Sequence, residues 1–458
     1  MPLATAPGNL RAATLTVTST ADGGAGTLRA ALANVADGDT INLSVTGIIY
    51  LTSGELRVTN SIFILGPRAD ALVIDGNYAS RVFFIGPNTI VTIAGLTIAN
   101  GTASGSAPPY GGGIFNNSAT LTISNCAITG NSGPGAGGGI FNRGEVGGSA
   151  SLTVVNTTLR GNSSIYYGGA IHNGGYFGNA SLQVVNSTFN GNSAPYGGAI
   201  YNDGYSGRAD LQVINSTLHG NSAYQGGGIK NAGALGNATV EILSSTLSNN
   251  EAVQNGGNIY NDGGSGNASL QIGNSILMSG ASGANIRNSG SVTITSLGYN
   301  LSSDDAAGFL SAAGDQINTD PKLGALQNNG GPTWTQALLA GSPAIDAGDD
   351  SQASSIPGDQ RGYLRNAGAQ VDIGAFESQP MSLPLRVDTI SRTVSGGVRL
   401  DFTNTPGAII TVVAATNATL PPSSWTDLGV AAQIAPGQFQ FIDSQANLPQ
   451  RMYRLFAP

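Results

Sequence analysis

Residues 168–173 read GGAIHN and residues 197–202 read GGAIYN. The phrase stands at five further places: GGGIFN at 111–116 and 137–142, GGGIKN at 226–231, GGNIYN at 256–261 and GANIRN at 283–288. Its isoleucines, Ile114, Ile140, Ile171, Ile200, Ile229, Ile259 and Ile286, recur every 26 to 31 residues. Between them falls a second phrase, NCAITGNS at 125–132, then NTTLRGNS, NSTFNGNS, NSTLHGNS, SSTLSNNE and NSILMSG, each preceded by a short alternating run such as LTIS, LTVV or LQVI. Two-residue alternation appears in every unit and helical periodicity in none, so each unit reads strand, turn, strand, loop. A unit of two or three short strands cannot bury its apolar face alone and must stack on its neighbours.

Stacking pairs each strand with its equivalent one coil away and builds long parallel sheets about 4.8 Å per coil. The chain then predicts roughly a dozen coils, with the seven isoleucines and the Leu or Phe of the second phrase pointing inward. The paired glycines before each Ile mark a tight corner. The asparagines that close the phrase, Asn116, Asn142, Asn173, Asn202, Asn231, Asn261 and Asn288, should stack as a column whose amides bond from coil to coil. An exposed amide row that binds sugar is the functional alternative. Thr27 to Val35, with Leu28, Ala31 and Leu32 on one face, predicts a short helical cap for the first coil, and the coils are expected to begin near Ile48.

Composition agrees with a sheet protein full of turns: 458 residues hold 68 Gly, 10% charged and 6% aromatic residues. The formal charge of −8 and the lack of clustered Lys and Arg argue against nucleic acid as partner. A single cysteine, Cys126, excludes a disulfide framework and a cysteine zinc site and reads as a small buried hydrophobe. No run of 18 apolar residues offers a transmembrane segment. Residues 1–13, with small residues ending PLATAPGNLRAAT, read as the remnant of a secretory leader.

Four stretches carry the resemblance to a known family: the opening TVTSTADGGAGTLRAAL, the ILGP and LTIANG phrases, the GGGI repeats, and the later block NTDPKLGALQNNGGPTWTQALLAGSPAIDAG with DQRG and DIGAFE. Together they resemble the bacterial choice-of-anchor Q proteins, and GGAI with FxxN at Phe189 to Asn192 also looks like the repeats of chlamydial polymorphic outer-membrane proteins. The resemblance covers about residues 14–377. It implies a right-handed single-stranded parallel β-helix, a pectate-lyase-like solenoid, secreted to the extracellular space or cell surface of a bacterium. It implies no family catalytic residues. The domain reading is therefore a leader remnant at 1–13, a β-helix with N-terminal cap and C-terminal block at 14–377, a linker at 378–385 and a small β-sandwich-like module at 386–458.

The functional expectation is a structural or adhesive surface or matrix protein whose partners are an extracellular surface, a glycan or copies of itself. The alternative is a polysaccharide lyase or glycoside hydrolase acting on acidic glycans. Hydrolysis needs paired carboxylates, and the phrases GHG and RIK expected of a polygalacturonase-like enzyme are missing. His172 and His219 stand at variable repeat positions that should face solvent, and the NTD at Asn318 to Asp320 reads as a loop. No cofactor is required. Residues 301–377 hold ten Asp or Glu against three Lys or Arg. Among these, Asp346, Asp349, Asp350, Asp359, Asp372 and Glu377 lie near glycines, which suits either a structural Ca²⁺ or turns and helix caps paired with Arg361 and Arg365. The run Ala408, Ile409, Ile410, Thr411, Val412, Val413 reads either as the central strand of the last module or as an edge for head-to-tail assembly into filaments.

Overall fold

The structure, a computed structural model, describes residues 12–103, 108–379, 386–393, 396–404, 410–417, 425–435, 438–444 and 451–456. The chain divides into two compact units, Met1–Glu377 and Ser378–Pro458. The leader reading falls outside the described residues except for Ala12 and Ala13.

The first unit is a parallel β-solenoid of about ten turns. Each full turn contributes one strand to each of three sheets, as in Asn179–Val185 (sheet 1), Thr188–Asn190 (sheet 2) and Ile200–Asp203 (sheet 3). Sheets 1 and 2 each hold 11 strands and sheet 3 holds 9. The winding starts earlier than Ile48: Thr14–Val17 already pairs in parallel with Thr40–Leu43. The one-turn helix Leu28–Leu32, capped by the Thr27 hydroxyl, lays Leu28 and Ala31 on the core of the first coils.

Register places Ile114, Ile140, Ile171, Ile200, Ile229, Ile259 and Ile286 opposite one another in sheet 3, all fully buried. The neighbouring asparagines form a directed chain, each Nδ2 donating to the Oδ1 of the next coil, at 2.7 Å from Asn116 to Asn142 and 2.9 Å from Asn202 to Asn231. The direction leaves an acceptor over at the start and a donor at the end, and Asn116 Oδ1 and Asn288 Nδ2 have no partner among the described residues. A second buried amide chain runs Asn131, Asn162, Asn192, Asn221 and Asn250, the Asn of GNS or its equivalent in the second phrase, and passes on to Asn258 and Asn285 of GGNIYN and GANIRN. The corner before Ile140 requires glycine twice: Gly137 has φ +64°, and a Cβ on Gly138 would run into the carbonyl oxygens of Ser163 and Gly169. Cys126 joins the core, where burial pushes its thiol up to about 11.

After Leu301–Ser302, the last strand of sheet 2, the acidic block adds no coils. It turns back as a strap along sheet 2 and touches four successive coils. Thr333 Oγ1 donates to the Asn186 carbonyl, Gln360 Nε2 to Thr188 Oγ1, Arg365 Nη2 to Asn215 Oδ1 and the Ser244 carbonyl, and Asn274 Nδ2 to the Asp349 carbonyl. Segment 318–320 is a loop before the strap's first strand, Leu323–Gln327.

The second unit contains a four-stranded and a three-stranded antiparallel sheet whose residues share one core around Leu400, Phe402, Val412 and Phe439. Strand Thr411–Ala415 lies in the middle of the smaller sheet, between Thr426–Val430 and Met452–Phe456. Both of its edges are taken within the module. It therefore offers no free edge for pairing with another molecule, and Ile410 is buried; Ala408 and Ile409 lie outside the described residues.

Candidate functional site

A strand with Ile171 turned inward turns His172 outward. Along sheet 3 the outward residues form a column, Arg57, Phe84, Phe115, Phe141, His172, Tyr201, Lys230, Tyr260, Arg287, in strict register. The variability of these positions suggests solvated side chains; the structure shows the opposite for most of the column. Phe115, Phe141 and His172 are buried, and so are Phe84, Tyr201, Lys230 and Tyr260. Tyrosines from two families of turns cover them: Tyr110, Tyr167 and Tyr196 from the turns before the glycine corner, Tyr176 and Tyr205 from the loops that lead to sheet 1.

The rings stack one per coil. Phe115 lies 5.5 Å from Phe141 in a stacked pair, Phe141 4.7 Å from His172, and His172 4.9 Å from Tyr201. Cations flank the run, Arg57 at 4.0 Å over Phe84 and Lys230 between Tyr196 and Tyr260 at 4.6 and 5.0 Å. Lys230 Nζ also donates to Gln225 Oε1 at 2.7 Å and lies 3.4 Å from Asp262, yet burial still pulls its amine below the ordinary range.

His172 sits at the centre of this cluster. Its Nε2 is 3.2 Å from the Tyr176 hydroxyl and 3.5 Å from Asp203 Oδ2, and its Nδ1 has no hydrogen-bond partner among the described residues. Burial lowers its pKa, and Asp203 only partly opposes the shift. Burial together with the Asp203 carboxylate raises Tyr176 and Tyr201 far above the ordinary tyrosine range. The imidazole is therefore neutral at pH 7 and acts as a packing and hydrogen-bonding element under Tyr176.

Outside this column lies a cleft of about 740 Å³, lined by Tyr110, Phe141, Tyr166, Tyr167, Tyr176 and Phe177, with Arg143 and Glu145 beside Val146. Tyr166 and Phe177 are 55% and 57% exposed, so ring surface remains available to a ligand. The turn aromatics carry a sequence signal, the Tyr and Phe of SIYYGG, NGGYFGN and NDGYSGR, but nothing local marks them as neighbours.

A second groove of about 540 Å³ crosses the outer face of sheet 1 and is polar, with Gln183, Gln212 and Gln271 beside Asp210 and Glu241. Its two carboxylates stand on adjacent strands but out of register, Asp210 opposite Thr239 and Glu241 opposite Gln212, so the repeats hold no stacked acidic pair here. Asp210 takes Arg208 Nε at 2.6 Å and the Thr239 hydroxyl, and Glu241 takes Gln212 Nε2 at 2.7 Å. His219 is partly buried elsewhere, its Nδ1 3.0 Å from Ser248 Oγ, beneath the strap residue Gln336.

The six acidic residues expected to suit Ca²⁺ serve the strap's own backbone and arginines. Asp349 caps the helical turn Asp350–Ala353, Asp346 Oδ1 accepts from Ala369 N, and Asp350 Oδ1 accepts from Val371 N. Asp372 Oδ1 accepts from Asp346 N, and Asp359 binds Arg361 at 2.6 Å. Burial, helped by the neighbouring Asp372, raises the Glu377 carboxyl to about 8 against the pull of Arg365. Among the described residues no three His, Cys, Asp or Glu converge as metal ligands.

No protein-family model matches the chain, and no curated protein matches its sequence. The solenoid stands on its own geometry; the choice-of-anchor Q and chlamydial-repeat resemblance rests on the quoted motifs alone.

Proposed function

We propose that this chain is a secreted solenoid of a bacterial cell surface or extracellular matrix that adheres rather than catalyses. The observation that carries the reading is the makeup of the cleft beside sheet 3. It offers fixed aromatic rings and one ion pair, Arg143 Nη1 to Glu145 Oε1 at 3.0 Å, and no second carboxylate among its described lining residues. Ring-rich concave surfaces with few polar groups hold ligands, whereas glycoside hydrolysis needs an acid and a base placed across one bond. The motif resemblance to surface proteins supports the location.

The rival reading, a lyase or hydrolase acting on acidic glycans, draws on Asp210, Glu241 and Arg208 in the sheet 1 groove. One experiment separates the two. Incubated with insoluble bacterial and plant wall polysaccharides, with pectin and with alginate, the chain should deplete onto an insoluble fraction and release neither reducing nor unsaturated sugar. Release that survives His172→Phe and His219→Ala but stops with Asp210→Asn or Glu241→Gln would overturn the adhesive reading.

A further inference from the structure

The geometry assigns the cleft of Tyr110, Tyr166, Tyr176 and Phe177 to an uncharged hexose polysaccharide, bound by stacking of pyranose faces on the rings; this assignment rests on the adhesive reading above. A pyranose presents a C–H face that removes aromatic surface from water, and hydroxyls around its rim that need donors and acceptors. The cleft supplies both kinds of surface, since Tyr166 and Phe177 are more than half exposed and Arg143 and Glu145 stand beside them.

Charge decides between acidic and neutral glycans. Arg143 and Glu145 are the ionised side chains among the described lining residues, and they neutralise each other at 3.0 Å. The chain as a whole carries −8. A polyuronate would meet no unmatched cation here and would approach against the net charge. A neutral chain meets neither obstacle.

The rings are also held before any ligand arrives. Tyr110 and Tyr176 meet Phe141 edge-on at 5.1 and 6.1 Å, Phe177 meets Tyr205 edge-on at 6.0 Å, and the Tyr176 hydroxyl is engaged by His172. Rings fixed in this way lose little freedom on binding. The lining comes from successive coils, with Tyr110, Pro134 to Ala136 and Tyr166 from the turns before the glycine corner and Tyr176 and Phe177 from a loop that leads to sheet 1. The coil rise of about 4.8 Å is comparable with the length of one pyranose along an extended chain. An extended peptide is the weaker fit, because strand Ile140–Arg143 beneath the cleft is paired on both edges and offers no free backbone row.

The test is calorimetric titration of the full chain with neutral hexasaccharides of β-1,4-, β-1,3- and α-1,4-linked glucose and of β-1,4-linked mannose, beside hexagalacturonate and decaproline. At least one neutral hexasaccharide should bind and hexagalacturonate should not. Tyr166→Ala and Phe177→Ala, each with unchanged melting, should weaken binding by about 3- to 10-fold apiece. Preference for hexagalacturonate or decaproline, failure of every neutral probe, or equal binding by the double variant overturns the assignment. If the double variant still adheres to insoluble wall material like the parent, the cleft assignment falls while the adhesive reading stands; if the parent does not adhere at all, both fall.

Discussion

Strand Ile171–Gly174 carries two fully buried neighbours, Ile171 and His172, on opposite faces, and each belongs to a column that runs the length of sheet 3. The inner column is isoleucine in seven consecutive coils and is buried by closure of the solenoid itself. The outer column changes residue in almost every coil, Phe141, His172, Tyr201, Lys230, and is buried by tyrosines on turns that lie outside the sheets. The inner column is thus a condition of folding, uniform because every coil faces the same space. The outer one is a local addition, and its chemistry varies with whatever covers it. Function has room only in the second.

That contrast can be broken most forcefully at Ile200. Ile200→Asp places an unpaired carboxylate inside the solenoid, at a cost of roughly 3–5 kcal/mol or more. The variant should fail to give a soluble, cooperatively melting solenoid; a soluble variant with the parent's melting curve would show that the column is not sealed. Phe141→Ala tests the outer column. It removes the ring on which Phe115, His172, Tyr110 and Tyr176 all rest, so a loss of about 3 kcal/mol is expected. Because coils interact mainly with their neighbours, hydrogen exchange should quicken between about Tyr110 and Tyr205 and stay unchanged in the strap's Gln360 to Glu377 segment. Exchange that quickened uniformly would mean the two columns are one cooperative core.

The smallest expected effect is a pH dependence confined to the outer column. The folded-state pKa of His172 lies below its ordinary value near 6.5, because burial outweighs Asp203, with Tyr167, Tyr176 and Tyr201 as the other titratable groups in contact with it. Below pH 6.5 the unfolded chain therefore binds more protons than the folded one at this site. The stabilisation is complete above that pH and is lost as pH falls towards the folded-state value. His219 is shifted in the same direction by burial, so the comparison uses His172→Phe, which copies the residue of the preceding coils. The variant should melt with a shallower acid slope below pH 6.5 than the parent. Identical slopes would place the imidazole in contact with water.

The inner half of the molecule was legible without coordinates. GGxIxN states its own period, and the alternation within each unit says which side faces in, so strand, register and amide column follow from stacking. The same text hid the outer half. Alternation correctly turns His172, Tyr201 and Lys230 away from the solenoid interior, but it cannot say whether water or protein awaits them there. The tyrosines that cover them sit in turns whose positions depend on the path between sheets. The strap shows the same limit. Glycine-rich acidic loops suit a cation or a set of turns equally well, and only the fold-back of residues 316–377 across four coils gives Asp359, Asp372 and Glu377 their backbone and arginine partners. Likewise AIITVVAAT has the composition of any exposed edge or any central strand, and its two partners come from residues 426–430 and 452–456. Sequence by itself determined what repeats, because a repeat must bury the same face in every coil. Tertiary structure alone decided what covers the outside, because that depends on which distant turns meet, and the aromatic cleft exists only where they do.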